Sequence, residues 1–113
     1  MTPEQEISRR KKLVSAAKAL LSLQVGLAVG AARIENILSW LGETYQREHP
    51  LFAFFIANIP PEIPLGGARL LWRSDLMLET DDRLARIEAK FRRALLGECV
   101  KIIDRYDPTS KVE

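Results

Sequence analysis

One cysteine and one histidine are all that 113 residues contain of either type, and that scarcity closes most routes to chemistry. A lone Cys99 forms no internal disulfide and points to a reducing, cytoplasmic setting. His49 has no second histidine or cysteine at metal-ligand spacing and no Glu-x-x-His pattern. Neither a zinc site nor a partnered general base is therefore legible. Gly66-Gly67 is too short for a phosphate loop and lacks the lysine and hydroxyl residue that such loops place next. Strand alternation, internal repeats and low-complexity tracts are missing too. The formal charge of +2 is too small to demand a nucleic-acid partner, and no helix-turn-helix pattern is clear. The expectation is a chain with no cofactor, no metal and no catalytic residue.

A long bilayer-spanning run is also lacking. Leu13 to Ala32 is mostly apolar and small, with Gly26 and Gly30 at a spacing that packs membrane helices. Lys18 and Gln24 interrupt it at the depth where polar groups cost most, and Lys18 likewise spoils a signal-peptide core. Two amphipathic helices explain the stretch better than insertion.

What is present is a globular balance of 47% hydrophobic and 28% charged residues, which excludes wholesale disorder. The length suits one domain over 1–113, with an ordered core of about 4–106 and a frayed tail. Helix 1 is predicted over 3–22, with Thr2 as cap, Pro3 at the first position and Glu4 and Glu6 facing the dipole. Helix 2 is predicted over 25–45 from Leu27, Ala31, Ile34, Leu38, Leu41 and Tyr45. The short link makes the two an antiparallel hairpin. Pro50 opens a short helix carrying Phe52, Phe54 and Phe55. Pro60, Pro61, Pro64, Gly66 and Gly67 then impose an ordered loop. A short helix over 75–79 and a main helix capped by Thr80 follow, its apolar face running from Leu84 to Tyr106 until Asp107-Pro108 stops it. The fold class is all-α: a helical hairpin, a proline-rich loop with a short helix, and a long C-terminal helix in a small bundle.

Several pieces sit in a familiar order. These are Ala16-Ala17 with Leu20-Leu21, Gly30 to Arg33, the apolar run Leu51 to Ile56, and Pro64-Leu65-Gly66. Arg69 and Trp72 follow, then Asp82, Glu88, Cys99 and the Ile102 to Tyr106 end. In these the chain resembles a family of small uncharacterised bacterial helical proteins, a domain of unknown function, over roughly residues 12–106. That family usually carries acids just before the Pro-Leu-Gly, where this chain has only Glu62. The resemblance implies the helical fold and brings no reaction, ligand or catalytic residue with it.

Weighed singly, most candidates have a plain reading. His49 before proline reads as a surface loop residue, and Cys99 as a small core residue. Asp75, Glu79, Asp81 and Asp82 read as helix-start carboxylates rather than a cation site. The basic residues Arg9 to Lys12, Arg86, Lys90, Arg93 and Lys101 are diluted by nearby acids. Arg33, Arg69, Trp72 and Arg73 are the residue types that dominate binding hot spots, although Trp72 could equally plug the hairpin and Arg69 satisfy loop carbonyls. Phe54, Phe55 and Trp40 would add to a partner surface if the fold leaves them exposed. The leading expectation is a non-catalytic module that binds another protein, such as an immunity or inhibitor protein that neutralises a toxin. A homodimer is the second reading. A small anionic ligand held by Arg33 and Arg69 is the third.

Overall fold

The computed structural model describes residues 1–60 and 74–107, with the backbone alone for 74–81. Among the described residues there are five helices and no strand. They are α1 (Pro3–Leu21), α2 (Leu27–Leu41), α3 (Glu43–Glu48), α4 (Leu51–Ala57) and α5 (Ser74–Tyr106). The expected all-α bundle is what the chain forms. No described helix is long and apolar enough to cross a membrane.

The start of α1 follows its sequence closely. Thr2 Oγ1 accepts from the Gln5 amide, and Gln5 Oε1 accepts from the Thr2 amide, both at 3.1 Å, so two of the helix's free amides are satisfied reciprocally. Its end is less conventional. Leu23 takes φ +60°, and the Gln24 amide reaches back to the Ala19 carbonyl at 3.0 Å. This is a Schellman-type stop with leucine where glycine is usual, at a cost of about 1 kcal/mol. The tight turn brings α2 back along α1. A methyl at Gly30 would stand 2.7 Å from Leu20 Cδ1 and 2.9 Å from Val25 Cγ2, so any larger residue would force those side chains to move.

Neither end of α2 has a local side-chain cap. Gly26 offers none; instead Glu88 on α5 accepts the Ala28 amide at 3.0 Å. At the other end Arg9 of α1 donates to the Trp40 carbonyl at 2.8 Å. An acid at the amino end and a base at the carboxyl end both oppose the α2 dipole, and both come from neighbouring helices.

Three boundaries differ from expectation. The predicted helix over 25–45 is two helices, because Gly42 at φ +119° breaks the backbone while the apolar periodicity runs on to Tyr45. The predicted short helix before Thr80 and the main helix after it are one helix of 33 residues. At 1.5 Å per residue that spans about 50 Å, matching the 49 Å long axis of the molecule. Asp107, placed with the tail, is buried and its carboxylate pairs with Lys18 at 2.7 Å. Residues 108–113 lie outside the described part.

All five helices contribute to the apolar core. Leu13, Ala17 and Leu20 of α1 meet Ala31, Ile34 and Leu38 of α2, with Phe52 and Phe55 of α4 and Leu95, Cys99 and Ile102 of α5 closing it. Burying one such side chain contributes about 1.5–3 kcal/mol.

Candidate functional site

Two regions flank α1, and their charges are arranged in opposite ways. The first lies where α1, α3 and α5 meet. Tyr45 gives its hydroxyl hydrogen to Glu6 and accepts from Arg10 Nε at 2.7 Å. Arg10 also reaches Glu6 at 3.3 Å, and its guanidinium lies 5.5 Å and 5.7 Å from the Tyr45 and Tyr106 ring centres. From α5, Arg105 pairs with Glu48 at 2.9 Å. Tyr106 donates to the same carboxylate at 3.2 Å.

His49 stands at the inner edge of this cluster, and only 3% of it is exposed. The expected surface loop residue is a buried one. Nδ1 is 2.7 Å from Glu98 Oε2, and Nε2 is 3.0 Å from the Tyr106 hydroxyl. Tyr106 also bonds Glu48 at 3.2 Å, so ring, phenol and the two carboxylates form one connected set. Burial, reinforced by Glu48, pushes the Tyr106 phenol up to about 12. Burial also raises Tyr45, as does its bond to Glu6. The hydrogen bond to Tyr45 raises Arg10. Each of these groups has partners, and His49 presents no atom to a substrate. The cluster clasps α1 and α3 to α5.

The second region is a groove of about 610 Å³ between α1 and α2. On α2 its residues are Val29, Arg33, Asn36 and Trp40, spaced i, i+4, i+7, i+11 along one face. On α1 they are Lys12, Ser15, Ala16 and Ala19, and Ala32 and Ile37 complete the floor. Trp40 is 56% exposed, although Arg9 fixes its backbone. No acid lines the groove among the described residues. Lys12 and Arg33 are charged, and neither has an ion pair among the described residues.

The candidates read from the sequence are scattered. Arg33 is on the groove. Phe54 is 59% exposed, with its ring edge-on to Phe91 at 5.7 Å. Phe55, expected beside it on a binding surface, is fully buried and packs on Phe91 at 5.2 Å. The reason is helical phase: Phe52 and Phe55 share the inward face of α4, and Phe54 points away. Arg69, Trp72 and Arg73 lie outside the described residues. Of the acidic group, Asp82 pairs with Arg86 at 2.8 Å, and no cluster of potential metal ligands occurs among the described residues. Cys99 is buried, and desolvation with help from Glu98 pushes its thiol up to about 12, which suits a packing role. Sequence reasoning missed Lys12, Val29 and Asn36. The 29/33/36/40 spacing was the available signal for two of them.

Glu35 was missed as well. One of its carboxylate oxygens is buried without a hydrogen-bond partner, and burial raises its pKa. At 100° per residue it lies well around α2 from the Asn36–Trp40 face, so it does not belong to the groove. Models of known families, curated proteins and solved structures were all compared with this chain, and none matches it.

Proposed function

We propose that this chain is a protein-binding module without catalytic activity and that the α1/α2 groove is its docking face. The observation that carries this is Trp40, largely exposed on a helix beside a mostly alanine floor and two cations with no ion pair among the described residues. Tryptophan and arginine are the side chains that most often carry binding energy at interfaces. A folded domain gains little by leaving them in water otherwise. Within this class, an inhibitor or immunity protein that neutralises a toxin by covering it is the role that the small size and helical scaffold suggest.

The homodimer reading is weaker at this face. A two-fold contact would bring two cationic faces together, each carrying Lys12 and Arg33, with no acid among the described lining residues to answer them.

The test places a photo-crosslinking residue at Asn36, on the groove, and irradiates the protein in lysate of its native host. One partner should be trapped in stoichiometric amount, and Trp40→Ala should abolish the band. Crosslinks to a second copy alone, or to a partner whose yield ignores Trp40→Ala, would overturn the reading.

A further inference from the structure

Resting on the groove as docking face, we infer that its occupant is an acidic amphipathic α-helix presented by a partner protein. Three features of the groove select it.

The first is the backbone. The walls are the flanks of two regular helices whose mid-helix amides and carbonyls bond within each helix. An extended peptide recognised by strand addition would find no free edge to pair with, and a proline-rich ligand needs a row of aromatics where there is one. A helix needs neither, because it satisfies its own backbone and brings only side chains.

The second is size. The floor is Ala16, Ala19 and Ala32 with the buried Ile37, and the three alanines let a third axis approach at ordinary helix-packing distance. The stripe from Val29 to Trp40 covers eleven residue steps, about 16 Å or three turns. A helix of four or five turns would lie along it with its apolar face down and Trp40 packed against one flank.

The third is charge. Lys12 stands on one wall and Arg33 on the other, and the lining has no acid among the described residues. Of the other α1 cations, Arg10 pairs with Glu6 and Lys18 with Asp107. The groove keeps its two cations without an acid among the described lining residues, and it suits a helix with Asp and Glu on both sides of its apolar stripe.

The experiment displays a library of helical peptides with a fixed apolar stripe and randomised flanking positions, and selects on the intact chain. The wild-type protein should enrich Asp and Glu in the flanks, and Trp40→Ala should weaken selected peptides about thirtyfold, as at an interface hot spot. The Lys12→Glu/Arg33→Glu variant should reverse the preference to Lys and Arg. Circular dichroism checks that the variant keeps its fold. Neutral or basic peptides that bind the wild type and still need Trp40 would overturn the acidic helix and leave the groove standing. Binders indifferent to Trp40→Ala, or no binders at all, would overturn the groove as well. Displacement of selected peptides by a single-stranded oligonucleotide would assign the cations to nucleic acid and overturn the inference.

Discussion

Arg10 and Lys12 stand two residues apart on α1 and face different neighbours. Arg10 is held by Glu6 and Tyr45 and lies over two aromatic rings. Lys12 lies on an open groove with no ion pair among the described residues. Both regions mix charge with aromatic side chains, so composition alone would rate them alike. Satisfaction separates them. In the clasp the charged groups and phenols have partners on neighbouring helices, so they hold helices together. In the groove the cations and Trp40 remain in water, where they retain interaction energy for something else.

That contrast is sharpened by substitution, beginning with the core beneath both regions. Phe55→Ala should cost about 3–5 kcal/mol in urea denaturation, whereas the exposed Phe54→Ala should cost far less. Equal losses would mean that α4 sits in a different phase. On the clasp, His49→Ala removes the buried ring and its contacts to Glu98 and Tyr106 and should cost about 2 kcal/mol. A loss below 1 kcal/mol would show the clasp to be ornamental.

The same cluster has a signature at high pH. Tyr106 ionises in the folded chain near 12, above its ordinary 10.0. The folded state therefore keeps a proton that the unfolded chain gives up. Stability from this group is present below about pH 10 and is lost as the pH rises through 12. Absorbance titration should show both phenols ionising above the ordinary tyrosine range, and Tyr106→Phe should remove one of the two steps. Smaller again, Glu88→Ala takes away the acceptor for the Ala28 amide and should cost about 1 kcal/mol, the usual worth of a helix cap. Last come Lys12→Ala, Arg33→Ala and Trp40→Ala, each expected within about 0.5 kcal/mol of wild type. A large destabilisation by any of them would move the groove into the structural half of the comparison.

Local chemistry was easy to read in the sequence and tertiary chemistry was not. Thr2, Pro3 and Gln5 lie within four residues, so the start of α1 is written in one place. The break at Gly42 was hidden because Leu38, Leu41 and Tyr45 keep helical spacing across it, and glycine alone does not announce φ +119°. Thr80 looked like a cap, yet polar residues cost an α-helix interior only a few tenths of a kcal/mol each, and the helix runs through it. His49 was misjudged because its partners are Glu98 and Tyr106, 49 and 57 residues away. The groove was half legible: Arg33 and Trp40 drew notice singly. Only the antiparallel crossing at Gly30 sets their face of α2 beside Lys12 and Ala16.

Cys99 gives the protein a built-in gauge of its own opening. It is the one thiol in the chain, it sits on α5 with no exposed surface, and its neighbours keep it protonated well past neutral pH. A thiol-labelling reagent must wait until α5 lifts from the core. When reclosing is faster than labelling, the rate of modification counts the fraction of molecules open at any moment. The loosening caused by a change in the clasp, and the tightening caused by a bound partner, can thus be read on one scale from an unmodified chain.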